Sequence, residues 1–225
     1  MKTTYVIITG MHRTGTSMLS GALGICGLDI GSNFRKEPHP CNPKGYFEDL
    51  DFKRLNRKMM RSAGIGPGSF VFPKHWHILP TTKQRNDMID FVRRWDRGHP
   101  VGWKDPRACL TVHIWRRFIQ VLKVITISRP AIEIANSLHT RRPDYPVKHG
   151  LAITEIYLRA LEKNLNGIPR VDVHYHDFFK NKATRNEILS GLCDFIGLDS
   201  RPRKWTAAID GFIEEKLWRE RQSVK

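Results

Sequence analysis

Cysteine is scarce and none of it is paired in a CxxC: Cys26, Cys41, Cys109 and Cys193 lie scattered through 225 residues. This spacing excludes a zinc finger or a thiol-redox motif as the organising feature, and reduced thiols in a core are the plain reading. Long apolar runs are missing as well. No stretch approaches the roughly 18 apolar residues that a membrane-spanning helix needs. The apolar part of the N-terminus, Tyr5 to Ile8, is too short for a signal-peptide core and leads into a polar loop. A soluble, cytoplasmic protein is the expectation. Acidic residues are few beside basic ones, 22 Asp plus Glu against 38 Lys plus Arg, for a formal charge of +16. Such an excess suits an anionic substrate, a nucleic acid or a solvated basic surface. The charge is dispersed in pairs such as Lys53-Arg54, Arg93-Arg94 and Arg141-Arg142, with no long basic block. No helix-turn-helix, RNA-recognition or zinc-finger signature accompanies it, so nucleic acid is not an expected partner. Internal repeats and low-complexity segments are also absent.

What is present suits one α/β domain spanning 1–225, because 40% hydrophobic content over this length supports a single sizeable core. Three β-rich runs, at 5–9, 122–128 and 171–175, each lead through a polar turn into helical spacing, and 101–104 is a shorter fourth candidate. Helices are expected over 16–26, 83–95, 110–120, 131–140, 147–164, 185–196 and 207–220. Strands alternating with helices predict a three-layer sandwich around a central, mainly parallel sheet. Residues 27–80 are rich in Gly, Pro, His and Asn and read as loops over the sheet, the usual place for acceptor-binding groups. Within them His75 and His77 alternate without a third metal ligand, so no metal site is expected. Phe70, Phe72 and Trp76 suit either an acceptor pocket or core packing.

The segment Gly10 to Ser17 reads GMHRTGTS between the first strand and the first helix. Its glycines keep the spacing of the Walker phosphate loop GxxxxGK[ST], in which backbone N–H groups and a helix N-terminus point at an anion. Thr16, however, stands where a nucleoside triphosphatase carries lysine, and the positive charge sits on Arg13 instead. The later strand VITISRP ends in Ser128 and Arg129, with no acidic residue to hold magnesium. A metal-free cradle for a phosphate-like group follows. A P-loop kinase or other nucleoside triphosphatase is the enzymatic rival.

These residues resemble the sulfotransferases that use 3′-phosphoadenosine 5′-phosphosulfate. GMHRTGTS is similar to the family's donor loop, and SRPAIEIANS is similar to its signature of an Arg followed eight residues later by Ser. NPKGYFED at Asn42 to Asp49 and GWKDPR at Gly102 to Arg107 resemble a branch seen mainly in bacteria. VHYHDF resembles the family's YEDL segment, with His176 in place of its glutamate; a glycine-rich nucleotide-contacting loop of the RKG type is not apparent near the C-terminus.

The resemblance implies a P-loop-like fold and transfer of a sulfuryl group to a hydroxyl or amine, with 3′-phosphoadenosine 5′-phosphosulfate as donor and no metal. It implies that His12, Arg13, Thr14, Gly15, Thr16 and Ser17 hold the phosphosulfate, and that Arg129 and Ser137 hold the 3′-phosphate. Arg13 is the candidate for stabilising the leaving group. Lys104 is the candidate for added charge at the sulfuryl group, the alternative being an ion-pair lysine beside Asp105. Glu48 is the candidate general base, with His12 and His39 as competitors. A small-molecule, glycan or peptide acceptor fits, and the basic charge favours an anionic one. The sequence leaves the oligomeric state open.

Overall fold

The computed structural model describes residues 2–36, 42–65, 78–199 and 205–214. His39, Phe70, Phe72, His75, Trp76 and His77 lie outside the described residues. Among the described residues four strands, β1 (Tyr5–Thr9), β2 (Val101–Lys104), β3 (Leu122–Ser128) and β4 (Arg170–His174), form one sheet in the order β2-β1-β3-β4. Every pairing is parallel, with Ile7 opposite Trp103, Ile8 opposite Ile125 and Ser128 opposite His174. The central strand β1 is buried at all five positions, as expected of a near-continuous apolar run covered on both faces.

Helices cover each face, giving the expected three layers. On one side lie α1 (Thr16–Ile25), α7 (Lys182–Ile196) and α8 (Thr206–Phe212), packed on Val6, Ile8 and Ile125. On the other lie α2 (Leu50–Ser62), α3 (Thr82–Arg94), α4 (Ala108–Trp115), α5 (Ala131–Arg141) and α6 (Val147–Asn164), packed on Tyr5, Ile7 and Val124.

The sequence reading of 27–80 as loops is corrected by α2. Asp49 caps this helix by accepting from the Asp51 and Phe52 amides at 3.0 and 2.8 Å, and Phe52, Leu55, Asn56, Met59 and Met60 supply a buried face at helical spacing. Phe52 stacks on Trp103 at 5.2 Å between ring centroids and meets Trp115 at 4.8 Å, so α2 is anchored over β2 by aromatic contacts. Asn56 adds a polar anchor. Its Oδ1 accepts from Thr111 Oγ1 and Trp115 Nε1, each at 2.8 Å, and its Nδ2 donates to Asp105 Oδ2 at 3.0 Å. The strand order reverses at β1, which places the carboxyl ends of β1, β2 and β3 where open α/β sheets bind ligands.

Candidate anion-binding active site

The turn leaving β1 is shaped by three residues in the left-handed region, Arg13 (φ 72°), Gly15 (φ 100°) and, near its limit, Gly10 (φ 151°). A Cβ on Gly10 would sit 2.3 Å from the Ile127 carbonyl, and one on Gly15 would sit 2.3 Å from the Tyr175 ring. Both positions therefore need glycine for space as well as for conformation. Arg13 holds its φ without that freedom, a strain of about 1–3 kcal/mol that tends to accompany functional turns.

Thr14 is spent on the turn itself: its N–H and Oγ1 both donate to the Met11 carbonyl, at 3.2 and 2.7 Å. Both of its donors are thus engaged within the turn. Helix α1 then begins at Gly15 with no side-chain cap, so its first-turn amides, including those of Thr16 and Ser17, have no partner inside the helix.

A cleft with about 890 Å³ of empty space, open to solvent, runs from this helix start across the ends of β3 and β4. Gly15, Thr16 and Ser17 line it together with Arg13, Arg129 and Ser137, so the structure brings both predicted donor motifs to one surface. Arg13 Nε donates to Ser137 Oγ at 2.9 Å, across 124 residues of sequence, which joins the two motifs directly. The Arg129 side chain is only 6% exposed; its Nε donates to Glu133 Oε2 at 2.7 Å and its Nη1 to the Arg13 carbonyl at 3.4 Å. The guanidinium carbon lies 4.9 Å from the Tyr175 ring centroid, and the buried Nη2 has no hydrogen-bond partner among the described residues.

The far end of the cleft is made by residues that sequence reasoning missed. Phe212 and Ile213 at the end of α8, together with Phe47 and Phe179, give it an apolar wall. Lys44, from the NPKG segment, pairs with Glu214 at 2.5 Å and fastens this wall to the loop before α2. Asn42 Nδ2 donates to Ser17 Oγ at 3.1 Å. No spacing rule links residue 44 to 214, so only the fold could have revealed this closure.

A second polar cluster lies off this cleft, at the end of β2. Glu48 accepts from Lys104 Nζ at 3.0 Å and pairs with Lys53 Nζ at 2.7 Å. The Lys104 side chain is 1% exposed, and its partner is Glu48 rather than Asp105, which instead holds Arg107 at 2.8 Å. Burial alone would raise the Glu48 carboxyl, but Lys104, Lys53 and Arg107 hold it well below the usual carboxylate range. His12 belongs to this cluster and is not among the residues that line the cleft at the start of α1. Burial, with Arg107 and Lys104 nearby, pushes its imidazole well below the ordinary histidine value, so it is neutral at pH 7. Among the described residues no group of acidic, cysteine and histidine side chains is arranged to hold a metal ion.

No protein-family model matches the chain, and no curated protein matches its sequence. Solved structures do match. The sulfotransferase domain of the olefin synthase from Synechococcus PCC 7002 superposes with a TM-score of 0.51 at 15% identity, over 90% of this chain and 75% of that one. Sulfotransferase STF9 from Mycobacterium avium gives a TM-score of 0.56 at 11% identity, over 92% of this chain and 67% of that one. The chain has the sulfotransferase fold. Within that fold the two motifs and the lysine-glutamate cluster occupy the carboxyl ends of the sheet, and no described helix is long and apolar enough to cross a membrane.

Proposed function

We propose that the protein is a sulfotransferase taking its sulfuryl group from 3′-phosphoadenosine 5′-phosphosulfate. The observation that carries this reading is Arg129. A guanidinium almost wholly buried, its Nη2 without a partner among the described residues, lines the same cleft as the uncapped start of α1. A buried donor left unsatisfied costs about 1–3 kcal/mol, so it is to be expected where an anionic ligand will satisfy it. One anion position at the helix start and a second at Arg129, with an apolar wall beyond them, suit a nucleoside carrying phosphates at both 5′ and 3′ positions. The residues fit the donor: amides of Gly15 to Ser17 for the phosphosulfate, Arg129 and Ser137 for the 3′-phosphate, and Phe212, Ile213 and Phe179 for the base.

When bound, the donor supplies a sulfuryl group that passes to an acceptor hydroxyl or amine through a charge-spread transition state. Arg13, held between the two anion positions, is placed to offset charge on the departing nucleotide. Lys104 adds a second cation on the acceptor side, oriented by Glu48. Glu48 is our proposed acceptor of the proton. Its low proton affinity is tolerable because a loose transition state leaves little charge on the nucleophile until late. A second reading assigns this step to His12, since its imidazole is neutral and lies in the same cluster.

Calorimetry tests the proposal by comparing 3′-phosphoadenosine 5′-phosphate with ATP, each with and without magnesium. The bisphosphate is expected to bind without metal and more tightly than ATP. Tight magnesium-dependent ATP binding with no binding of the bisphosphate would replace this reading by a nucleoside triphosphatase.

A further inference from the structure

Histidine at position 176, where the family-like segment carries glutamate, is built into the donor site. The chain leaves β4 into a 3₁₀ turn, Tyr175–Phe179, which brings two consecutive side chains to Arg129 and its surroundings. Tyr175 lies under the guanidinium and against Gly15. His176 Nε2 reaches Glu133 Oε1 and Oε2 at 3.0 and 3.1 Å. Glu133, in the first turn of α5, is itself the acceptor for Arg129 Nε at 2.7 Å.

We infer that Glu133 and His176 are positioning residues: they clamp Arg129 from behind, so that Nη2 is presented to the donor's 3′-phosphate. The inference rests on the bisphosphate reading of the cleft.

The reason is conformational. An arginine side chain loses about 2 kcal/mol of rotamer entropy when fixed, and fixing it before the ligand arrives removes that cost from binding. A carboxylate can do this only if it is itself held in place. Glu133 is 7% exposed, and burial would raise its carboxyl, yet hydrogen bonds from Arg129 and His176 keep it below the usual range. It is therefore an anion with cation or donor on both sides. With Arg129 alone, the Glu133 carboxylate could swing toward the amides at the start of α5 and take the guanidinium with it. His176, anchored on a different element, opposes that swing. To donate here, its ring must carry the proton on Nε2. A glutamate at 176 would instead put a second carboxylate beside the first. Histidine is consistent with Glu133 as a paired anion, whereas glutamate is not.

The test measures binding of 3′-phosphoadenosine 5′-phosphate and of 5′-AMP to wild-type, E133Q, H176A and H176Q proteins. The ratio of the two affinities isolates the 3′-phosphate. E133Q should weaken the bisphosphate by about tenfold, the scale of one hydrogen bond to a charged group, and leave 5′-AMP unchanged. H176A should lower the ratio by about threefold, a fraction of one such bond. H176Q, which still has an N–H to donate, should restore it. His176 is 36% exposed, so H176A leaves no core cavity and decides the matter if E133Q fails to fold. An unchanged ratio in folded E133Q and H176A overturns the inference while leaving the bisphosphate reading intact. Equal loss of both nucleotides in H176A, or no rescue by H176Q, also overturns it, because the role would then be merely structural. A wild-type protein that does not prefer the bisphosphate over 5′-AMP overturns the reading, and the inference falls with it.

Discussion

Replacing Arg129 by methionine separates what this residue does for the ligand from what it does for the fold. The substitution keeps the volume of an almost fully buried side chain and removes its charge. For binding, it deletes one or two hydrogen bonds to a phosphate, each worth about 1.5–3 kcal/mol when a charged group takes part. One such bond is a loss of about 10- to 150-fold in affinity for 3′-phosphoadenosine 5′-phosphate, taking tenfold per 1.4 kcal/mol. 5′-AMP, which lacks the 3′-phosphate, should bind as before. For the fold, R129M leaves Glu133 buried with His176 as its remaining partner, and breaking a buried pair typically costs about 3–5 kcal/mol. The surviving 3.0 Å contact to His176 places the expected cost near the lower bound. R129M/E133M removes both buried charges and should recover most of that stability while staying weak for the bisphosphate. Urea unfolding and calorimetry on the three proteins provide the two readouts. A bisphosphate to 5′-AMP ratio in R129M equal to that of the wild type would refute the assignment of Arg129 to the 3′-phosphate, whatever the stability did.

Three further outcomes are expected. K104M should cut turnover by about 10²–10³-fold, the usual loss for a group that stabilises transition-state charge, with bisphosphate affinity unchanged because Lys104 lies off the donor cleft. Steady-state kinetics beside calorimetry checks both halves. His12 resists protonation in the folded chain while an unfolded histidine titrates near 6.5, so its contribution is present above that pH and is lost as pH falls toward the lowered folded value. The wild-type urea midpoint should therefore drop between pH 7.5 and 5.5 by more than that of H12N. Finally, N56A strands the Trp115 and Thr111 donors and one Asp105 oxygen, and at about 1–3 kcal/mol for each unsatisfied group it should destabilise by at least ~3 kcal/mol, read from urea unfolding.

Local patterns were legible in the sequence and distant pairings were not. The strands at 5–9, 101–104 and 122–128 stand at their expected bounds, because short apolar runs between turn residues specify strands directly. Strand β4 begins one residue early, at Arg170, where a charged residue that pairs with Glu162 and Asp172 hides the start of an apolar run. Helix α2 was obscured because the Gly, Pro and His around it dominate the composition, although Asp49 followed by Phe52, Leu55 and Met59 carries a cap and a helical period. The partnership of Glu48 with Lys104, 56 residues apart, depends on α2 lying over β2 and so could not be read from either motif.

The loop itself illustrates why the division falls there. Thr16 for lysine says only that the charge is elsewhere, and Arg13 says where along the chain it went. Its destination in space is set by the left-handed backbone at Arg13, which gives its carbonyl to Arg129, while its side chain runs to Ser137. A lysine on the helix would serve a phosphate chain extending outward from a single anchor. An arginine in the turn, hydrogen-bonded to the residue expected to meet a second phosphate, ties two anchors together. That arrangement favours a ligand with phosphates at both ends of one nucleoside over a linear triphosphate.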